Sequence, residues 1–327
     1  MEPYCSELQN SRQVKRMDDK DQPATIRHYR DLAKTIVRRH FGKPASRIVY
    51  KSSGRTNYVF AVNHVEGQFV VRISPDSDRL RAFQKERWAS KKACEAGVPT
   101  PEVIEVGNDA VSEPYMITRR VTGSEATQHP KRRRIVHEMG EYAAIINSIS
   151  TSGYGSDFDW TSKGKKHKTW ASYVEDEFKM EKRLQFFAEH KMLPNAELKE
   201  LSRILENAKT RRHKASLNHS DLRLKNVIVD EGGDIAAIVD WEECLSTIAP
   251  EWEVSIALHD LTIDEKYAFI EGYGLSVREV EGMAQLIKAF NILNYYQAIN
   301  NVIDSKDQKG LGEIKLRMKG SLDLYSL

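Results

Sequence analysis

The sequence predicts an α+β fold of two lobes: a small lobe with an antiparallel sheet and a helix, and a large, mostly helical lobe with one β-hairpin. Segments rich in β-branched and aromatic residues recur between residues 46 and 118, which is typical of strands. After Gly123, most segments repeat their apolar residues at helical spacing. The exception is two short apolar runs at 227–229 and 235–239, and the Gly232-Gly233 turn between them predicts a hairpin.

Composition excludes several classes of protein. Of the 327 residues, 40% are hydrophobic and 30% are charged, which is typical of a globular protein. The chain has no apolar run long enough to span a membrane, and its polar start lacks the apolar core of a signal peptide. Three scattered cysteines, Cys5, Cys94 and Cys244, form neither a disulfide framework nor a metal-ligand spacing. We therefore expect a cytoplasmic protein that binds neither a membrane nor nucleic acid.

The small lobe is predicted at 25–121, after a disordered leader at 1–24 in which Met17 is an alternative start. Its helices are predicted at 26–41 and at 79–96, the second being stopped by Gly97 and Pro99. Its strands are predicted at 46–50, 57–62, 69–73, 103–106 and 115–118. The chain is expected to leave this lobe through a hinge at about 117–121.

The large lobe is predicted at 122–327. Its helices are predicted at 135–149, 170–187, 198–208, 252–258, 266–270 and 277–302, with a short helix in the tail. The Lys-Arg-Arg-Arg run at 131–134 follows Pro130 and is interpreted as the solvated start of a helix. A contact with phosphate or nucleic acid is the alternative interpretation.

The hairpin brings together polar residues that suit phosphoryl transfer. Asp221 lies two residues after His219 and five before Asn226, and Asp240 ends the second strand of the hairpin. Because the second strand returns along the first, we expect Asp240 to lie close to Asn226. Carboxylate and amide oxygens suit a hard cation such as Mg²⁺, and Asp221 then remains as a proton acceptor. The alternative is an ordinary hairpin with solvated acids and a helix-capping His.

The pattern H-x-D-x-x-x-x-N, followed by a hairpin and I-V-D-W-E, resembles the aminoglycoside phosphotransferase family of the protein-kinase-like superfamily. F-V-V-R-I-S, K-E-R-W-A, I-T-R-R-V-T-G and W-E-V-S-I are similar to a hygromycin-phosphorylating subgroup, over roughly residues 45 to 260. The resemblance implies a kinase-like fold with Asp221 as the catalytic base and Asn226 and Asp240 as Mg²⁺ ligands. It also implies that His219 and Glu253 support the catalytic loop.

The nucleotide would be bound by residues of the small lobe and the hinge. A phosphate-binding loop is expected to include Ser53, Gly54 and Asn57, although a plain turn would have the same composition. The resemblance places Arg72 where kinases have a strand Lys that contacts phosphates and pairs with a helix Glu, here Glu86. An exposed salt bridge is the alternative for this pair. The hinge residues expected to contact the nucleotide are Thr118, Arg119 and Val121.

The acceptor side is less specific. Arg223 lies where protein kinases have a Lys near the transferred phosphate, and a surface charge is its alternative. Glu242, Glu243 and Asp260 are candidates for an acidic wall that would attract an aminosugar, or they are solvated surface. The sequence departs from the family at Ser220 and at Arg223-Leu224-Lys225, where Gly and small or His/Pro residues are common.

The expected activity is transfer of the γ-phosphate of ATP or GTP, with Mg²⁺, to a hydroxyl of a small molecule. An aminoglycoside or aminocyclitol antibiotic of the hygromycin type is the expected acceptor, so the chain would confer antibiotic resistance. A metabolic kinase for a sugar, amino alcohol or homoserine-like compound is an alternative on the same scaffold. A pseudokinase with a regulatory role is another, but Asp221, Asn226 and Asp240 are all present.

Overall fold

The computed structural model describes residues 23–52, 57–164 and 166–322. Residues 1–22 of the leader expected at 1–24, including Met17, and the loop residues Ser53 and Gly54 lie outside these described residues. The chain divides into two compact units. The smaller unit contains the described residues up to Leu80 together with Ile104–Arg120, and the larger unit contains Arg81–Val103 and the chain from Val121 onward.

The smaller unit is an antiparallel sheet covered by one helix, as the sequence predicts. The sheet has the order β1-β2-β3-β5-β4. Its strands are β1 at Arg47–Lys51, β2 at Tyr58–His64, β3 at Gly67–Ile73, β4 at Val103–Gly107 and β5 at Tyr115–Arg119. Helix α1, Ala24–Phe41, buries Ala33, Ile36 and Val37 in one core with alternate residues of β3. This alternation leaves the intervening residues of β3 on the opposite face of the sheet.

Helix α2, Arg79–Glu95, belongs to the larger unit from Arg81 onward. Its residues Ala89 and Ala93 are fully buried in the same hydrophobic cluster as Ile238 and Trp241 of the hairpin region. The predicted boundary at residue 121 assigns this helix to the small lobe and stays a prediction.

The larger unit is mostly helical. Its helices are α3 at Arg132–Ser148, α4 at Trp170–Asp176, α5 at Met180–Glu189, α6 at Asn195–Lys209, α7 at Glu251–Ala257, α8 at Ile263–Tyr273, α9 at Val277–Leu293, α10 at Tyr296–Asp304 and α11 at Gln308–Leu322. No helix in the described part of the chain is long and apolar enough to cross a membrane.

Two helices that the sequence predicts as continuous are each broken in two. The prediction at 170–187 is wrong because the chain leaves the helix between α4 and α5, where Lys179 has a φ of 55°. The prediction at 277–302 is wrong because α9 ends at Leu293. One side chain satisfies a carbonyl at each break: Arg183 donates from Nε to the Phe178 carbonyl (2.7 Å) and from Nη1 to the Leu293 carbonyl (2.9 Å). These bonds offset the loss of helical partners at both breaks.

The basic run at 131–134 is only partly solvated. Lys131, Arg133 and Arg134 are exposed. Arg132 differs, because its Nε lies 2.7 Å from the Glu265 carboxylate and its Nη1 donates to the Thr127 carbonyl. The prediction of a solvated helix start therefore fails at Arg132, which connects α3 to α8.

The predicted hairpin is present as β8, Val227–Val229, and β9, Ile235–Ile238. Val227 pairs with Ile238, and the turn closes with the Asp230 amide donating to the Asp234 carbonyl. Three short strands that the sequence does not predict complete the sheets of this unit. They are β6 at Ser124–Glu125, next to β8, and the antiparallel pair β7 at Ser216–Asn218 and β10 at Leu245–Thr247.

Candidate active site

The loop after β7 is closed on itself by Asn226. This residue ends a short 3-10 turn at Leu224–Asn226. Its Nδ2 donates to both the backbone carbonyl and the Oδ2 of Asp221, at 2.8 Å in each case. The carboxylate of Asp221 is therefore held at a fixed position relative to the start of β8.

Two cations contact the carboxylate of Asp221. Arg223 donates from Nε to Oδ1 at 2.7 Å, and the Lys225 Nζ lies 2.8 Å from Oδ2. Burial opposes ionisation of this carboxyl, but Arg223, Lys225 and Asn226 outweigh it, so the pKa of Asp221 lies below its usual value. Asp221 is thus ionised at neutral pH. Sequence reasoning missed Lys225, although the spacing of four residues from Asp221 was available as a signal.

His219 is fully buried beneath the loop. Its Nε2 lies 3.1 Å from the Val239 carbonyl, and its Nδ1 accepts from the Asp221 amide at 3.3 Å. These contacts fit a neutral ring with its proton on Nε2. Burial also lowers the pKa of His219. The ring connects the loop to Val239, directly after β9, and it is buried away from solvent, so it is not placed to carry a proton.

Glu253 accepts hydrogen bonds from the backbone of the same loop. This carboxylate, at the start of α7, is fully buried, and its Oε2 accepts from the amides of His219 (2.5 Å) and Ser220 (3.4 Å). Burial raises the pKa of Glu253 to about 7, although both amides favour the ionised form. Ser220 has a φ of 64°, a conformation that non-glycine residues rarely adopt. Its Oγ accepts from the indole N–H of Trp252 at 3.1 Å, a contact that sequence reasoning did not predict.

Asn226 and Asp240, the two expected Mg²⁺ ligands, lie at the two ends of the hairpin: Asn226 directly precedes β8, and Asp240 follows β9 by two residues. The Val239 amide donates to the Asn226 carbonyl at 2.9 Å, which places Asp240 one residue beyond this contact. Asp240 has a φ of 68° and is half-buried. The Nδ2 of Asn226 donates to Asp221, and its Oδ1 is a hard oxygen atom of the kind that binds Mg²⁺. The described residues contain no cluster of three His, Cys, Asp or Glu side chains suited to a metal, so a cation here would need further oxygen ligands from a bound molecule.

The three acids expected on the acceptor side have different surroundings. The carboxylate of Asp260 is exposed and lies 3.4 Å from Nη1 of Arg223, so Arg223 connects it to Asp221. Glu242 is half-buried and Glu243 is exposed, both in a 3-10 turn directly after Asp240. Asp260 is therefore linked to the catalytic loop through Arg223.

The expected nucleotide-binding residues are divided between the two units. Arg72, Thr118 and Arg119 lie on β3 and β5 of the smaller unit, and Asn57 directly precedes β2. Arg72 lies on the face of the sheet opposite α1, and Asn57 is buried, with no described partner for its Oδ1. Glu86 and Val121 belong to the larger unit. The pairing of Arg72 with Glu86 therefore stays a prediction.

Comparison with known proteins identifies the family. The model of the phosphotransferase enzyme family (APH) matches residues 49–286, more than two thirds of the chain. The hygromycin-B 4-O-kinase of Escherichia coli is 26% identical over 208 residues, which is 61% of this chain and 58% of that protein, so the chain spans little more than half of this relative.

Solved structures with low sequence identity share the fold. A thermostable mutant of aminoglycoside phosphotransferase APH(4)-Ia, in a ternary complex with AMP-PNP and hygromycin B, has a TM-score of 0.67 at 18% identity, covering 90% of this chain and 98% of that one. A proposed fructosamine-3-kinase from Haemophilus somnus has a TM-score of 0.61 at 17% identity, covering 89% and 96%. The chain has a kinase-like fold and belongs to the phosphotransferase enzyme family (APH).

Proposed function

We propose that this phosphotransferase uses Mg²⁺ and ATP to phosphorylate a hydroxyl of an aminoglycoside or aminocyclitol of the hygromycin type. The observation that carries the proposal is the ionised Asp221 carboxylate, fixed by Asn226 and flanked by Arg223 and Lys225. The similarity to a hygromycin-B 4-O-kinase supports the acceptor class.

Asp221 is proposed to orient the acceptor hydroxyl and to take its proton. As the acceptor oxygen bonds to the γ-phosphorus, the bond from that phosphorus to the leaving oxygen of the nucleotide breaks, and the proton passes to the carboxylate. A carboxylate with two cationic neighbours is a weak base. This is sufficient because a loose transition state needs little early removal of the proton.

Arg223 and Lys225 are proposed to leave Asp221 in part when nucleotide and acceptor bind. Both cations then lie close to the place where the transferred phosphate would be, and Arg223 can offset charge on its oxygens. Arg has a planar, permanently charged fork that suits this contact.

Mg²⁺ would be held by Oδ1 of Asn226 and the carboxylate of Asp240, together with phosphate oxygens. When bound, it neutralises charge on the nucleotide phosphates. The fit rests on the donor chemistry, because both side chains offer hard oxygen atoms, and the backbone hydrogen bond from Val239 to Asn226 brings their segments together.

Asp260 is proposed to attract the cationic acceptor. Its carboxylate is exposed and close to the catalytic loop through Arg223, and Glu242 and Glu243 add negative charge after Asp240. An acidic surface raises the local concentration of a polycationic aminosugar, and this effect weakens with salt.

Release of ADP from ATP and Mg²⁺, measured with a panel of acceptors, tests the proposal. We expect hygromycin B to stimulate ADP release, with an apparent affinity that falls as salt rises. Stimulation only by a sugar, an amino alcohol, homoserine or a fructosamine would make the chain a metabolic kinase. Nucleotide binding without stimulation by any acceptor would favour a regulatory role. Asp221→Asn, measured beside the wild type, shows how much of the release depends on this site.

A further inference from the structure

Lys85 is a buried cation that has no role in the proposed mechanism. This residue of α2 is only 8% exposed, whereas lysine is almost never fully buried without a partner. Its Nζ donates to the backbone carbonyl of Cys244 at 2.8 Å, across 159 residues of sequence. Burial of an ammonium group is costly unless it is hydrogen-bonded or paired with a charge, so this contact constrains the two segments that it joins.

Each of these segments carries a residue of the proposed nucleotide and metal site. Lys85 directly precedes Glu86 on α2, and Cys244 follows Asp240 by four residues. The intervening turn closes with the Cys244 amide donating to the Trp241 carbonyl at 3.1 Å. The Cys244 carbonyl, which accepts the hydrogen bond from Lys85, is therefore held at a fixed position relative to Asp240.

A second hydrogen bond joins the same two parts of the larger unit. The Ile238 amide donates to the Pro99 carbonyl at 2.8 Å, just beyond the end of α2. Between the two bonds, Ala89 and Ala93 of α2 pack in one cluster with Ile238 and the fully buried Cys244. The helix is thus attached to the hairpin region at both ends of its buried face, and Lys85 makes the attachment closest to Glu86.

The charges around Cys244 agree with this role. Burial raises the pKa of the Cys244 thiol to about 12; Lys85 opposes this rise, whereas Glu86, Glu243 and Glu253 add to it. Lys85 and these three acids therefore all lie near enough to the buried thiol to affect its charge.

From these contacts we propose that Lys85 is a positioning residue that holds α2, and with it Glu86, beside the segment that carries Asp240. The inference rests on the proposed function, because it concerns the binding of nucleotide with Mg²⁺. When Lys85 is replaced, the position of Glu86 relative to Asp240 is no longer fixed. Added Mg²⁺ then raises the affinity for nucleotide less than it does in wild type.

Calorimetric titration with AMP-PNP, with Mg²⁺ and with EDTA, tests this role without any acceptor. Lys85→Met keeps the length of the side chain but removes its charge and donors. We expect Lys85→Met to reduce the Mg²⁺-dependent gain in affinity about tenfold, the scale of one charge-assisted hydrogen bond. Lys85→Arg should restore part of that gain. The matched control is Lys91→Met on the exposed face of the same helix, which should keep the wild-type gain.

Melting temperatures separate positioning from a purely structural role. A lower melting temperature of Lys85→Met with an unchanged Mg²⁺-dependent gain would overturn the proposal. If Lys85→Met does not fold, Lys85→Gln is measured in its place. A wild-type Mg²⁺-dependent gain in affinity in Lys85→Gln would overturn the proposal, and so would failure of Lys85→Gln to fold. A wild-type protein that does not bind AMP-PNP with Mg²⁺ would instead contradict the proposed function.

Discussion

The larger and smaller units differ in how they fix the residues proposed for phosphoryl transfer. In the larger unit, Asp221 is held by Asn226, and the backbone of its loop is held by His219 and Glu253. In the smaller unit, Arg72 is placed by the register of β3 and donates from Nη2 to the Sδ of Met116 at 2.9 Å. Its expected partner Glu86 belongs to the other unit. The residues proposed for catalysis and metal binding therefore lie within one unit, whereas the proposed pairing of Arg72 with Glu86 would need both units.

This difference affects what a substitution can reveal. A substitution in the catalytic loop removes hydrogen bonds and ion pairs that lie within the larger unit, so its expected effect follows from those contacts. A change at Arg72 tests a pair that the sequence predicts but that neither unit contains alone.

Asp221→Asn should lower turnover about 10²–10⁴-fold, the usual scale for a positioned acid–base group. The amide keeps the shape of the carboxylate but can neither accept the proton nor pair with Arg223 and Lys225. Affinity for Mg-ATP should stay within about twofold of wild type, because the proposed metal ligands are unchanged. Single-turnover kinetics and calorimetry measure the two quantities separately. The control is Glu231→Gln, which changes an exposed acid in the turn of the hairpin. If Asp221→Asn kept more than a tenth of wild-type turnover, Asp221 would be excluded as the base.

Asp240→Ala should remove the Mg²⁺-dependent part of nucleotide affinity, because a small octahedral cation loses its one charged protein ligand. Alanine is also unfavourable at a φ of 68°, so a loss of affinity could arise from misfolding. Asp240→Asn removes that ambiguity, since Asn tolerates this conformation and keeps one oxygen. Titration with Mg-ATP should show weakened binding in both variants, and unchanged binding in Asp240→Asn would place the metal elsewhere.

Glu253 should make the stability of the larger unit depend on pH. Its folded pKa of about 7 lies above the usual value of 4.5, so the unfolded state loses this proton first as pH rises. The contribution of the protonated acid is therefore complete below about pH 4.5 and is lost as pH rises through about 7. The loss is on the order of 3 kcal/mol, from about 1.4 kcal/mol for each pKa unit.

Urea unfolding at pH 5.5 and pH 8 measures this effect. Glu253→Gln cannot ionise, so wild type should lose stability relative to this variant between the two pH values. Glu251→Gln, two residues earlier on α7, should keep the pH dependence of wild type. The same difference in stability between wild type and Glu253→Gln at both pH values would contradict the raised pKa.

The sequence predicts the parts of this site that depend on local geometry. A Gly-Gly turn between two apolar runs is enough to bring Asp240 back toward Asn226, and the hairpin pairing confirms that return. The sheet and helix of the smaller unit likewise follow from the period of their apolar residues. In both cases the pattern lies within one segment of the chain.

Other features depend on contacts between distant segments and could not be predicted. Arg183 accommodates two helix breaks because it reaches the carbonyls of Phe178 and Leu293, 110 residues from the latter in sequence. Ser220 adopts a glycine-like conformation because Glu253 and Trp252 hold it from α7. The three-residue strands β7 and β10 are too short to give a periodic pattern, and only their pairing defines them.

Arg72→Met tests the smaller unit and should have the smallest effect of the four. If Arg72 contacts phosphates and pairs with Glu86, the substitution should raise the Michaelis constant for ATP and lower turnover. A buried charge-assisted contact contributes about 1.5–3 kcal/mol, which corresponds to a change of about tenfold to a hundredfold in kcat/KM. Arg72→Lys should recover part of the loss, because it keeps the charge without the planar fork. Glu86→Gln should act in the same direction but more weakly, because it only orients the cation.

An exposed salt bridge at Arg72 would contribute only about 0–1 kcal/mol and would leave the kinetics almost unchanged. Steady-state kinetics of Arg72→Met therefore decides between the two interpretations. Arg47→Met, at the exposed end of β1 in the same sheet, is the matched control and should behave as wild type. Wild-type ATP kinetics in Arg72→Met would show that Arg72 does not bind phosphate, and the difference between the two units would then lie in the role of β3 as well as in how their residues are held.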